Sequence, residues 1–66
     1  MSKDVEEKAI WWLRGLAKDT DPNVRVAAAS GLSQYIHNAI AVWVLRGLAK
    51  DEDPRVRQAA ALALDG

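Results

Sequence analysis

Leu13–Leu32 reads LRGLAKDTDPNVRVAAASGL, and Leu45–Leu64 reads LRGLAKDEDPRVRQAAALAL. The offset is 32 residues, and 15 of the 20 aligned positions are identical, the exceptions being Thr20/Glu52, Asn23/Arg55, Val26/Gln58, Ser30/Leu62 and Gly31/Ala63. Trp11 and Trp43 extend the alignment upstream. Self-similarity at a period of about 20–50 residues marks stacked supersecondary units, none of which buries its apolar face alone. The expected class is therefore all-α, with two helix-pair units over about 4–35 and 36–66 forming one domain across 1–66.

Within each unit the boundaries are written locally. Helix one is expected from about Asp4 to Lys18, capped by Ser2 or Asp4, with Glu6 and Glu7 in a first turn that favours negative charge. Val5, Ala9, Ile10, Trp12, Leu13, Leu16 and Ala17 share one broad face at helical spacing, and Trp11 falls opposite it, toward solvent. In DTDPNV, Asp21 is the N-cap and Pro22 takes the first helical position, where a missing N–H costs nothing. Helix two then presents Val24, Ala27, Ala28, Gly31, Leu32 and Tyr35 inward, with Val26, Ala29, Ser30 and Ser33 on the far side. In the second unit Ala41, Val42, Val44, Leu45, Leu48 and Ala49 match the inner face of helix one, while Ile40 and Trp43 lie outside it. Asp53-Pro54 repeats the cap, and the last helix runs to about Leu64 with Val56, Ala59, Ala60, Ala63 and Leu64 inward.

The junction Gln34–Ala41, QYIHNAIA, admits two readings. A short turn near Ile36-His37-Asn38 separates helices two and three, with Asn38 as a new cap. Alternatively Pro22 to about Lys50 is one helix, because no Gly or Pro follows Gly31 and Ala39-Ile40-Ala41 continues a helix readily. A fused helix would prevent the second unit from folding back and would exchange halves between two chains in a swapped dimer.

The pattern Leu-x-x-Leu-x-x-Asp-x-Asp-Pro-x-Val-Arg-x-Ala-Ala-x-x-Ala-Leu, seen best in LAKDEDPRVRQAAALAL, resembles the HEAT repeat, especially the short HEAT-like repeats of the phycobilin-lyase type. The resemblance covers Asp4 to Asp65. It implies two helix pairs stacked as an α-solenoid fragment. It also implies a ladder in which Asp19 and Asp51, or Asp21 and Asp53, bond Arg25 and Arg57 between adjacent repeats. The bland reading of these residues is ordinary caps and surface charge. Such repeats usually separate units by a Gly-Asp-type turn, which Ile36-His37-Asn38 replaces. The near-identity of the two copies is similar to that of consensus-derived or designed proteins.

Composition removes several classes of function. Sixty-six residues make a small core. Cysteine is absent, so no disulfide or thiolate metal site supplements it. Nine basic and nine acidic side chains balance, which gives no reason to expect nucleic acid or an anionic membrane as partner. Val26–Leu45 lacks Asp, Glu, Lys and Arg over 20 residues, a length that could span a bilayer, but Ser30, Ser33, Gln34, His37 and Asn38 argue against it. The acidic N-terminus SKDVEEK does not read as a targeting signal, so a soluble protein of unknown compartment is expected, suited to recombinant cytoplasmic expression.

No nucleophile–base–acid set and no Gly-rich phosphate loop is present. Neither an enzyme nor a small-molecule substrate nor a cofactor is expected. His37 is the single histidine, which does not make a metal site; it is a turn residue or, since imidazole titrates near neutrality, a pH-sensitive contact. The candidates for function are the outward aromatics. Trp11 and Trp43, with Tyr35, Ile36, His37 and Ile40 nearby, form the expected protein interface, because large aromatics dominate binding hot spots. The expected function is a non-catalytic protein-interaction module. The reading taken is that it self-associates as a homodimer over this surface, because two uncapped repeats lack core; the alternative is an engineered binder that docks a different protein with it.

Overall fold

Two Asp-Pro steps set half of the helix starts. In the computed structural model, which describes residues 3–66, Asp21 caps α2 (Pro22–Leu32) and Asp53 caps α4 (Pro54–Asp65). Asp21 Oδ1 accepts the Asn23 N–H and Asp53 Oδ1 the Arg55 N–H, each at 2.8 Å. Each bond satisfies one of the amides that a helix start leaves without a partner. The preceding helices are α1 (Lys3–Leu16) and α3 (Ala39–Leu48). Asp4 lies inside the first turn of α1, so it is not the cap; Ser2, the other expected cap, lies outside the described residues.

The junction is a short turn. After Leu32 the chain tightens into one 3-10 turn over Ser33–Tyr35, and Asn38 N–H returns to Tyr35 C=O at 2.8 Å. Asn38 then swings to an extended backbone (φ −97°, ψ 127°), and its side chain caps α3 by accepting the Ile40 N–H at 2.9 Å. The helix continuous from Pro22 to Lys50 does not form. The turn needs no glycine, since no described residue has positive φ. Glu6 of α1 holds the turn from the other side: its carboxylate meets His37 Nε2 at 3.0 Å and accepts from Asn38 Nδ2 at 3.3 Å. The uncharged stretch Val26–Leu45 is thus divided between two helices, and no helix among the described residues is long and apolar enough to cross a membrane.

The two pairs, α1 with α2 and α3 with α4, lie side by side in a slab of 34 × 23 × 14 Å. α2 packs on α4 and α1 on α3. The core runs through both pairs. Ile10, Leu32, Leu45 and Val56 are its largest fully buried side chains, and Leu13, Ala28, Ala29, Ala41, Leu48 and Ala60 pack around them. The alanines on the facing sides of α2 and α4 keep side chains short where the two helices meet. At Gly31 the approach is tighter still: a Cβ there would lie 2.7 Å from Leu13 Cδ2.

Several inner-face expectations need correction. Val5 and Trp12 are 50% and 67% exposed, and Ala27 is exposed, although all three were expected to point inward. Ala29, placed on the far side by periodicity, is 0% exposed, and Val26 packs against the core. For Ala29 and Val26 the cause is a second neighbour. A single apolar stripe describes a helix with a core on one side, whereas α2 is flanked by α1 on one side and α4 on the other, so its burial covers two stripes. For Trp12 the counterpart at the same place in the second pair is Val44, which is buried in the shared core. Trp12 has no pair in front of it among the described residues.

Candidate functional site

The outward aromatics come together through a residue that the sequence reading left aside. Trp11 on α1 and Trp43 on α3 are 58% and 62% exposed. Arg14 follows Trp11 by three residues, one helical turn, and reaches toward the neighbouring helix. Its guanidinium carbon lies 5.0 Å from the Trp11 ring centroid and 5.8 Å from that of Trp43. A cation over an indole face is worth about 0.5–1 kcal/mol at an exposed site. Arg14 therefore lies against both rings and joins them into one ridge. The available signal was the spacing: Trp-x-x-Arg occurs twice, as Trp11/Arg14 and Trp43/Arg46.

Two depressions flank Trp43. An open groove of about 540 Å³ runs between α1 and α3, and Arg14, Lys18, Arg46 and Lys50 stand around Trp43, Val44 and Leu48. Its acid, Asp51, is already engaged by Arg25. The second depression, about 330 Å³, is lined by Ile36, His37, Asn38, Ala39, Val42, Trp43 and Arg46. Ile36, His37 and Trp43 are thereby brought together. Ile40 stands exposed nearby on α3, whereas Tyr35 is half-buried and packs against the core. His37 is tied to Glu6 across the turn.

The expected Asp–Arg ladder has one completed rung. Arg25, 9% exposed, donates to Asp51 with Nε at 2.9 Å and Nη2 at 3.1 Å, a bidentate bridge from the first pair to the second. Its Nη1 donates to the carbonyls of Asp19 and Thr20 at 2.8 and 3.1 Å. Buried charge is tolerated only when it is paired and hydrogen-bonded, and here every guanidinium nitrogen has an acceptor. The Arg25 hydrogen bond holds Asp51 below the ordinary carboxylate value, and the same bond raises Arg25. Arg55 likewise holds Asp53 down by direct hydrogen bonding, and its Nη1 reaches Asn23 Oδ1 at 3.4 Å. Arg57 repeats the Arg25 geometry only in part: Nη1 donates to the carbonyls of Asp51 and Glu52 at 2.7 and 3.1 Å. The Asp19 carboxylate accepts the Asp21 N–H at 2.8 Å and has no arginine on it among the described residues. The ladder thus lies on Arg25 and Asp51, with Asp21 and Asp53 serving as caps.

Among known families, the model described as HEAT repeats matches residues 11–65. The chain belongs to the HEAT-repeat family. HEAT repeats generally mediate protein–protein interaction and are typically non-catalytic. No curated protein and no solved structure gives a significant match. In this HEAT-repeat chain no group of three or more His, Asp or Glu residues among those described is placed to hold a metal ion. What the arrangement offers chemically is contact: exposed indoles, a guanidinium between them and a cationic groove.

Proposed function

We propose that this HEAT-repeat chain is a non-catalytic module that docks a different protein on the Trp11–Arg14–Trp43 ridge and the groove beside it. The observation that carries this reading is the bridged pair of indoles, two large exposed aromatics with one cation against both. Exposed aromatic area marks contact sites. The four cations around the groove select the partner's charge: a segment with carboxylates spaced around apolar side chains fits, and a basic one is repelled.

Pairing of two copies over the same ridge is the second reading, supported by Ile36 and Ile40, 41% and 44% exposed beside the indoles. It sets Arg14, Lys18, Arg46 and Lys50 against their own copies, which like-charge repulsion opposes. The near-identity of the two repeats supports a consensus-derived or engineered origin, and that origin is compatible with either partner.

The test uses two synthetic helical peptides of equal apolar content, one rich in Glu and one rich in Lys, in calorimetric titration. Binding of the acidic peptide alone, lost on Trp43→Ala and weakened at least tenfold by Arg14→Glu with Arg46→Glu, is the expected result. Equal binding of both peptides, or binding that survives these substitutions, contradicts it.

A further inference from the structure

The inter-repeat interface inside the chain is a template whose two halves recur, uncovered, at opposite ends. Shifting by 32 residues maps each buried residue onto its counterpart. On the first pair, Arg25 and Ala29 are buried against the second pair, while their counterparts Arg57 and Ala61 are exposed on the far side of α4. On the second pair, Val44 is 8% and Val56 0% exposed, while their counterparts Trp12 and Val24 are exposed and half-buried on the near side of the first pair. The polar half-sites are equally ready. Asp19 accepts the Asp21 N–H just as Asp51 accepts the Asp53 N–H, both at 2.8 Å. Arg57 Nη1 is fixed by two carbonyls as Arg25 Nη1 is, leaving Nε and Nη2 without an acceptor among the described residues.

We infer that the two end faces bind each other between copies of this chain, head to tail, with Arg57 of one copy bridging Asp19 of the next. Applying the internal repeat operation once more gives the register. Arg46, whose counterpart Arg14 reaches Trp43, then meets Trp11 of the next copy, so the ridge of alternating indoles and guanidiniums continues across the junction. The occupant is chosen by continuity with the interface already formed inside the chain and by charge: a free cation on one face, a carboxylate without an arginine on the other. The contact is heterologous, so each copy keeps one end face for a further copy and assembly runs past the dimer. It is weaker than the internal one, because the internal partner is tethered and because Trp12 replaces Val44 and Gln58 replaces Val26 at the seat.

The test is solution mass by light scattering from about 10 µM to about 1 mM, a range that reads weak association. The wild-type mass should climb past twice the 7.2 kDa of one chain. Arg57→Asp alone and Asp19→Arg alone should each stay at one chain mass, since each sets like charges together. An equimolar mixture of the two should recover the climb. Ala61→Arg, a helix-compatible block on an exposed position, should also stay at one chain mass, and it decides the matter if circular dichroism shows either charge variant unfolded. A wild type that stays single at about 1 mM, a folded mixture that does not recover, or Ala61→Arg associating normally overturns the inference and leaves the faces to a neighbouring repeat of a longer polypeptide.

Discussion

At the scale of single residues, Arg25 and Arg57 form an internal experiment. They occupy equivalent places and make the same two backbone contacts, but only Arg25 also holds a carboxylate across the repeat boundary. Arg25→Ala should therefore lower the thermal midpoint substantially, and Arg57→Ala should lower it little, as differential scanning calorimetry will show. Removing one member of a nearly buried pair leaves the other without compensation. Asp51 adds a pH signature. Its folded value lies below the unfolded one, about 3.9, so folding favours the ionised form. The stabilisation is complete above that unfolded value and is lost as pH falls through the depressed folded value. A Tm profile from pH 7 down to pH 2 should drop steeply in this acid range, and less steeply in Asp51→Asn, which starts lower. A profile rising toward acid would contradict the bridge.

At the scale of elements, capping and helix propensity decide where the chain turns. Asn38→Ala removes the side-chain acceptor of α3 and should cost about 1 kcal/mol in urea denaturation. Gly47 has nothing within 4 Å of where a Cβ would stand, so Gly47→Ala should stabilise by up to about 1 kcal/mol. Gly31 differs, because Leu13 occupies that space. The same scale shows what a reader of the sequence could and could not see. Asp21-Pro22 and Asp53-Pro54 named their own helix starts, because cap and N1 chemistry acts within a few residues. Asn38 was legible as a cap, yet the choice between turn and continuous helix was not, because Glu6, which grips the turn, lies 32 residues away from Asn38. Trp12 and Ala29 were misplaced for a related reason: helical periodicity records that a face is apolar, not which of two neighbours covers it.

At the scale of the whole molecule, the core is thin and shared. Leu45 is completely buried at the centre of the second pair. Leu45→Ala should cost about 2–5 kcal/mol, most of the stability a domain of this size possesses, and both pairs should melt together rather than in sequence. The surface divides by role. The ridge of Trp11, Arg14 and Trp43 faces outward, and the end face carries Trp12. Trp11 and Trp43 were legible as exposed from spacing alone; the cationic groove was not, because Arg14 and Lys18 meet Arg46 and Lys50 only once α1 packs on α3. The neutral net charge of the whole chain hides a local excess of one sign.

The three tryptophans allow the central claim, that the ridge is the docking surface, to be tested in one titration. Their indole N–H signals in a 15N-labelled chain report the ridge through Trp11 and Trp43 and the end face through Trp12. At a fixed, dilute protein concentration, addition of the acidic helical peptide should move the Trp11 and Trp43 signals together and leave Trp12 in place. Movement of Trp12 alone, or of none of the three while the peptide binds elsewhere, would contradict the account.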